Sequence, residues 1–208
     1  TLREGQAEVQ VALEQSFATA PVTLFEAPTG FGKTGTALSF ALERLRDGLC
    51  DRILYLTGKT TGQNEVVRTL DKMIPDDCGF RYLCLRNRTE RNIGFEDLEH
   101  LSEQELARRW KSAALNPLAL FQGGTISEKN LIESAKHAGI PPYEIIRACL
   151  PFAELWIGDF NYVFQPRSAS TFSTVEGFAP IRSLLIVDEA HNLPERVASG
   201  LSARFAFD

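Results

Sequence analysis

Several features that would place the protein in a familiar class are scarce in its 208 residues. No run of 18 apolar residues occurs, so we expect no membrane-spanning helix. No basic-then-apolar segment opens the sequence, so we expect no secretory signal peptide. The four cysteines, at positions 50, 78, 84 and 149, contain no C-x-x-C pair and suggest no disulfide framework. The net charge of −5 means that any binding to nucleic acid must use a local basic patch.

What the sequence does contain is an alternation of apolar runs and helical patterns. Five short apolar runs predict strands, at 22–27, 52–57, 80–85, 154–160 and within 183–191. Helical spacing over 33–47, and again up to Met73, predicts the first helices, whereas serine and threonine at 167–174 predict a loop. The alternation predicts an α/β fold, in which helices cover both faces of a parallel sheet.

Residues 86–150 differ from the rest in composition. They are rich in charge, leucine and alanine, and we predict about three short helices there and no strand. The sequence therefore predicts a sheet domain made of residues 1–85 and 151–208, interrupted by a helical insertion of residues 86–150. The hydrophobic content of 44% is enough for one full core.

The segment EAPTGFGKT at 26–34 lies between the first predicted strand and the first predicted helix. Strand, glycine-rich turn, lysine, threonine and helix is the layout of a phosphate-binding loop, or P-loop. Backbone N–H groups and the positive end of the helix dipole favour a bound anion there. Lys33 can reach the β- and γ-phosphates of ATP, and the Thr34 hydroxyl can ligate Mg²⁺. From this pattern the predicted nucleotide-binding residues are Ala27, Thr29, Gly30, Phe31, Gly32, Lys33 and Thr34.

The strict P-loop pattern has glycine where this sequence has Ala27, a residue still small enough for the backbone to turn.

A second motif, LLIVDEAH, places Asp188 and Glu189 at the carboxyl end of an apolar run, where open α/β sheets bind ligands. We predict that Asp188 serves the metal and that Glu189 polarises the attacking water. Two acids in these roles favour hydrolysis of the nucleotide, with Glu189 and Lys33 as the catalytic pair.

Together these segments resemble the XPD/DinG branch of the superfamily 2 helicases. APTGFGKT resembles motif I of that group and DEAH its motif II, whereas LYLTGKTTGQNEVV at 54–67 resembles motif Ia. REGQ at 3–6 resembles the R-x-G-Q signature of the branch, and the segment at 141–166 resembles its C-P-Y-E…Y-N-Y segment. The resemblance implies a RecA-like motor domain of an ATP-driven helicase that moves on single-stranded DNA.

The resemblance also implies roles for individual residues. Gln6 lies near the adenine, and His191 couples the ATP site to the DNA track. Contacts to nucleic acid are implied or favoured for residues in motif Ia, in an arginine-rich stretch at 81–91 and in the 141–166 segment. The residues are Thr60, Thr61, Gln63, Arg88, Asn161 and Tyr162. The arginine-rich stretch is equally well explained as a solvated helical face balanced by neighbouring acids.

The sequence departs from this family in one group of residues. Most members carry a [4Fe–4S] cluster whose last cysteine opens the C-P-Y segment, where this sequence has Pro141. The first cluster cysteine follows a stretch that resembles LRNRTERN at 85–92, and no cysteine occurs from Leu85 to Ala148. Because such a cluster needs about four thiolates, we predict that the insertion remains without an iron–sulfur cluster.

The family has two motor domains with ATP between them. We therefore expect the second motor domain and the arch region in the same full-length protein. Cysteines without a disulfide framework favour a cytoplasmic protein, associated with the nucleoid in a bacterium, although the sequence leaves the compartment open. Two alternatives stay open from the sequence. One is a different P-loop NTPase, such as a remodeller of proteins, and the other is a scaffold that binds nucleotide without turnover.

Overall fold

The computed structural model of the protein describes residues 5–75 and 78–202; Arg3 of the R-x-G-Q signature lies outside them. Four parallel strands form one sheet in the order β2-β3-β1-β4. The strands are β1 (Arg52–Leu56), β2 (Tyr82–Cys84), β3 (Leu155–Gly158) and β4 (Ser183–Val187). Leu56 pairs with Gly158 on one side and with Val187 on the other, so the strands end along one common edge.

Helices cover both faces of this sheet, which confirms the predicted α/β fold. Successive residues of β1 alternate between two cores because side chains along a strand point to opposite faces. Ile53 and Tyr55 join the core against the first three helices, which are α1 (Gln6–Thr19), α2 (Lys33–Arg46) and α3 (Thr60–Met73). Leu54 and Leu56 join the core on the other face. No helix in the described ranges is both long and apolar enough to cross a membrane.

The segment predicted as an insertion is helical. It contains α4 (Arg88–Arg91), α5 (Glu103–Ala113), α6 (Glu128–Ala138) and α7 (Pro142–Cys149), joined by short 3₁₀ turns. These helices do not form a separate core, because Leu131 and Ile145 pack in one cluster with Leu83 and Trp156 of the sheet. This helical segment is therefore packed against one face of the sheet.

The strand predicted at 22–27 is wrong. Among the described residues this segment pairs with no strand, and the side chains of Val22 and Leu24 are 73% and 89% exposed. A cleft of about 700 Å³ lies between the segment and β4, which pairs only with β1. The apolar pattern is present, but a strand also needs a hydrogen-bonded neighbour.

The loop predicted at 167–174 is also wrong. After the short helix α8 (Asn161–Phe164), Pro166–Ser173 forms a helix, α9, with proline in its first turn. Phe172 of this helix is buried, with its ring 4.9 Å from the Trp156 ring and 5.1 Å from the Tyr162 ring. Burial of one aromatic side chain thus outweighs the weak helical propensity of the serines and threonines. The last helix, α10 (Leu193–Leu201), follows β4.

Candidate functional site

The glycine-rich turn before α2 has the backbone that a P-loop requires. Gly30 and Gly32 have φ of +84° and +89°, a region that residues with a Cβ rarely occupy. A Cβ on Gly32 would lie 2.7 Å from Nε2 of Gln6, so a larger residue at this position would also displace the end of the Gln6 side chain. Gly32 is the N-cap of α2 and provides no side-chain cap. The first turn of α2 therefore keeps the N–H donors that favour an anion.

Helix α1 contacts the glycine-rich turn through its first residue, Gln6. Gln6 is buried, and its Nε2 donates a hydrogen bond to the Phe31 carbonyl oxygen at 2.7 Å. The rings of Phe31 and Phe25 meet edge to face at 6.1 Å. The structure thus places Gln6 on the P-loop itself, whereas its implied contact with adenine stays a prediction.

Two side chains of the P-loop point toward the strand end. Nζ of Lys33 donates to the Ala27 carbonyl oxygen at 3.0 Å. The Thr34 side chain lies near the hydroxyl of Tyr55, a fully buried residue of β1 that the sequence analysis missed. Burial, followed by the nearby charge of Asp188, raises the pKa of Tyr55, which therefore remains a neutral partner of Thr34.

The two acids of the DEAH segment follow β4 directly. The Asp188 N–H donates to the Leu56 carbonyl oxygen at 2.8 Å, which extends the pairing of β4 with β1 by one residue. The pKa of Asp188 is raised, first by burial and second by the charge of Glu189, while Lys33 acts in the opposite direction. Glu189 is exposed and has φ of +52°, a left-handed conformation uncommon for a residue with a side chain.

His191 contacts the Glu189 carboxylate, and Asn192 contacts both His191 and the Glu189 backbone. Nδ1 of His191 lies 3.4 Å from Oε2 of Glu189, and Nε2 of His191 lies 3.0 Å from Nδ2 of Asn192. The Asn192 side chain also donates to the Glu189 carbonyl oxygen at 3.2 Å. These contacts orient the glutamate and connect it to the histidine.

The cleft of about 700 Å³ brings the predicted catalytic residues together. Lys33, Asp188 and Glu189 line it, with Ala27 of the P-loop and His191 beside them. Of the other predicted P-loop residues, Thr29 and Gly30 lie on the exposed turn above this wall. Lys33 of the predicted P-loop, the predicted metal ligand Asp188 and the predicted base Glu189 thus share one edge of the sheet.

A second site is a polar groove of about 580 Å³ at the same edge, between α3, α4, α8 and α9. It brings together five of the six predicted nucleic-acid residues, which are Thr60, Gln63, Arg88, Asn161 and Tyr162. Only a small part of Gln63 and of Tyr162 reaches the surface of the groove, because each residue is less than 10% exposed. The Gln63 Oε1 accepts from the Cys84 thiol at 3.4 Å, and the Tyr162 hydroxyl donates to the Arg86 carbonyl oxygen at 2.9 Å.

The charge of this groove is mainly positive. Four basic side chains line it, Lys59, Arg86, Arg88 and Arg196, against the acids Glu90 and Asp159. Lys59 was not among the predicted contacts, although it precedes Thr60 in the segment that resembles motif Ia. Arg196 was missed because only the folded chain brings α10 beside the start of α3. Other members of the arginine-rich stretch face elsewhere: Arg81 pairs with Glu154 at 2.9 Å, and Arg91 is buried.

A third opening, of about 760 Å³, connects the cleft with the groove. Asp188, Glu189 and His191 line one side of it, and Thr61, the sixth predicted nucleic-acid residue, lines the other. Arg196 lines both this opening and the polar groove, and its Nη2 lies 3.4 Å from the Gly58 carbonyl oxygen. His191 therefore lies between the acids and the segment predicted to touch nucleic acid.

Comparisons with known proteins agree with this arrangement. The family model DEAD_2 matches residues 79–208. An XPD helicase structure matches with a TM-score of 0.66 and 18% identity, over 94% of this chain and 34% of that one. A structure of a truncated XPD matches with a TM-score of 0.61 and 19% identity, over 96% of this chain and 55% of that one. This chain therefore spans about a third and about half of the two structures.

The matched region contains β2 to β4 and the DEAH segment, and the P-loop lies before it. Because the family model covers more than half of the chain, family membership does not depend on the P-loop pattern. The parallel sheet and its helical layers fit the same assignment. The chain belongs to the DEAD_2 family, and its fold is that of the XPD-like helicase motor domain.

Proposed function

We propose that this chain is a motor domain that binds and hydrolyses Mg-ATP to drive movement of a longer protein on single-stranded DNA. The observation that carries the proposal is the convergence of Lys33, Asp188 and Glu189 on one cleft at the carboxyl edge of the sheet. The N-terminus of α2 lies at the same edge, so backbone dipoles and a lysine both favour phosphate there.

The residues present fit a magnesium ion held jointly with a nucleotide. No group of three or more His, Cys, Asp or Glu in the described chain is placed to hold a metal alone. Thr34 and Asp188 would supply two ligands, and Mg²⁺ is commonly bound by one or two protein groups together with substrate phosphates. The raised pKa of Asp188, caused by burial and by Glu189, marks a carboxylate pair that a cation would stabilise. When bound, the ion would neutralise charge on the phosphates.

Glu189 is the residue that we propose to act on water. Hydrolysis requires a water oxygen to attack the γ-phosphorus while its proton passes to a base and ADP leaves. Glu189 is more exposed than Asp188 and faces the same cleft, so it can hold the water and take its proton. Lys33 would exchange the Ala27 carbonyl oxygen for the phosphates and stabilise the charge that develops on them.

The opening beside His191 supplies a route between ATP and DNA. The histidine contacts Glu189 and lines the space that reaches Thr61 and Arg196. A change at the γ-phosphate can therefore move the segment after β1, which we propose touches the DNA backbone. Proposed partners are single-stranded DNA in the polar groove, and a second motor domain and arch region of the same longer protein.

The test is ATP turnover by the full-length protein with and without single-stranded DNA. We expect turnover to need Mg²⁺ and to rise when DNA is added. Turnover that DNA leaves unchanged would favour the protein remodeller. Nucleotide binding without turnover, in the presence of DNA and Mg²⁺, would favour the scaffold. Either result would overturn the proposal.

A further inference from the structure

The N-terminus of helix α7 has no side-chain cap from its own residues. Its N-cap residue is Pro141, which has no polar side chain, and its first residue is Pro142, which has no N–H. The N–H groups of Glu144 and Ile145 reach the Pro141 carbonyl oxygen at 3.0 and 3.3 Å. The Tyr143 N–H is therefore the first free donor of the helix, and Tyr143 is buried.

The partner of that donor comes from 51 residues earlier in the chain. The Tyr143 N–H donates to Oδ1 of Asn92 at 3.1 Å, and both groups are buried. Asn92 is only 2% exposed, and its Nδ2 donates to Oε1 of Glu99 at 3.2 Å. Both ends of the carboxamide are thus used, one of them as a cap supplied from another helix.

The same two helices meet through charge. Asn92 ends α4, and Arg88 of α4 pairs with Glu144 of α7. The Arg88 guanidinium also lies 5.1 Å from the centre of the Tyr143 ring. Arg91 joins α4 to two further segments: it pairs with Glu128 of α6 at 2.7 Å and donates to the Cys84 carbonyl oxygen of β2 at 3.1 Å.

By the resemblance described above, this junction lies where XPD/DinG-like helicases carry their cluster, because the first cluster cysteine follows the stretch that resembles 85–92 and the last stands at the position of Pro141. The cysteines of this chain do not fit such a cluster. Cys50 lies before β1, and Cys78 is an exposed thiol between α3 and β2. Cys84 is in β2 and bonded to Gln63, and Cys149 donates to the Pro117 carbonyl oxygen at 3.6 Å. No described group of three or more metal-binding side chains occurs there.

We propose that Asn92 is a positioning residue that fastens α7 to α4 in place of a metal cluster and so sets one wall of the polar groove. Arg88 and Tyr143 form that wall, and both depend on the α4–α7 junction. The fastening follows from the hydrogen bonds alone, whereas its effect on DNA rests on the proposed function. The insertion of this protein thus keeps its shape without iron.

The test compares Asn92→Leu with Ser127→Ala in the full-length protein. Leucine has a similar volume but no acceptor, so it leaves the buried Tyr143 N–H unpaired. Ser127 caps α6 locally through the Asn130 N–H and is exposed, so its loss weakens the insertion without touching the junction. In Asn92→Leu we expect hydrogen exchange in residues 142–149 to quicken about 5- to 150-fold, the range for an unsatisfied buried donor. Ser127→Ala should leave exchange there unchanged.

The second measurement is ATP turnover against DNA concentration. In Asn92→Leu we expect a several-fold higher DNA concentration at half-saturation, with basal turnover and turnover at saturating DNA unchanged. If hydrogen exchange in 142–149 is unchanged in Asn92→Leu, Asn92 does not hold α7 against α4. If the DNA concentration at half-saturation is unchanged, Asn92 does not position the wall of the polar groove. If the wild type does not respond to DNA, the proposed function fails while the exchange result still decides the fastening. If Asn92→Leu does not fold, Asn92→Ser should show the same changes in smaller degree.

Iron is tested on the wild type. Exchange in 142–149 should be the same after anaerobic purification, after aerobic purification and after treatment with an iron chelator. Stoichiometric iron and sulfide, or exchange in 142–149 that quickens when iron is removed, would overturn the proposal.

Discussion

The ammonium group of Lys33 donates a hydrogen bond to the Ala27 carbonyl oxygen at 3.0 Å, so the P-loop is closed by its own lysine. Ala27 and Lys33 are six residues apart and stand at the two ends of the turn. The lysine is half-buried against the turn, which holds its charge where phosphate would lie. A single bond thus keeps both the loop and the cation ready for a nucleotide.

Lys33→Ala should remove most nucleotide binding. The change deletes a charged donor, and bonds to charged groups contribute about 1.5–3 kcal/mol, which is roughly 10- to 150-fold in affinity. Titration calorimetry with Mg-ADP measures the loss. Lys72→Ala, an exposed lysine in the last turn of α3, should bind as the wild type does. Equal affinity in the Lys33→Ala variant would show that phosphate is held elsewhere.

Glu189→Gln in the full-length protein should bind ATP and fail to hydrolyse it. The amide keeps the shape of the side chain but cannot accept a proton, and general-base catalysis contributes about 10²- to 10⁴-fold. Single-turnover hydrolysis and nucleotide affinity separate the two effects. Asp188→Asn should instead weaken the dependence of binding on Mg²⁺. Normal turnover in Glu189→Gln would move the base to another residue.

The parts of the site that were predictable from sequence are those whose residues all lie in one short segment of the chain. The P-loop and the DEAH segment each hold their residues within nine positions, and their order along the chain places both at the carboxyl edge of a parallel sheet. Four of the five predicted strands are present for the same reason. The spacing of apolar residues indicates which side chains are buried, and these strands form where such side chains are buried.

The remainder depends on contacts between distant segments. Tyr55 lies near Thr34, and Asn92 caps α7, and neither relationship has a local pattern in the sequence. The segment at 22–27 has the pattern of a strand and no neighbour to pair with. Arg196 reaches the polar groove only because α10 folds back over the end of β1. Such features follow from packing, which a single sequence does not display.

Gly62→Ala should destabilise the protein, although alanine normally stabilises a helix by about 1 kcal/mol relative to glycine. A Cβ at this position would lie 2.3 Å from Oγ1 of Thr57, a buried residue, so the start of α3 would have to shift. Overpacking of this kind costs about 1–3 kcal/mol. Urea unfolding measures the loss, and Thr57→Ala should recover part of it in the double variant.

Gly35→Ala is the matched control for this stability measurement, since its Cβ would meet nothing closer than 3.9 Å. It should be neutral or slightly stabilising in the absence of nucleotide. A Gly62→Ala variant as stable as Gly35→Ala would show that the start of α3 can yield without cost.

Arg196→Ala should weaken binding of single-stranded DNA and flatten its dependence on salt. An arginine that contacts one phosphate releases about one counterion, so the slope of log K against log salt should fall by about 0.7. Affinity of the full-length protein, measured at several salt concentrations, gives that slope. Arg46→Ala, an exposed arginine at the end of α2 and paired with Asp47, should leave it unchanged. A slope that Arg46→Ala and Arg196→Ala alter equally would remove Arg196 from the DNA path.

The 208-residue chain alone should bind nucleotide but hydrolyse it slowly. None of the described residues that line the cleft around Lys33, Asp188 and Glu189 is an arginine. In related phosphoryl-transfer sites an arginine finger contributes on the order of 10³- to 10⁵-fold in rate, or about 4–7 kcal/mol of barrier. We therefore propose that this arginine comes from the second motor domain of the longer protein. ATP turnover should be measured on this chain and on the full-length protein, with and without single-stranded DNA. Robust, DNA-stimulated turnover by the 208 residues would show that the catalytic set is complete within them.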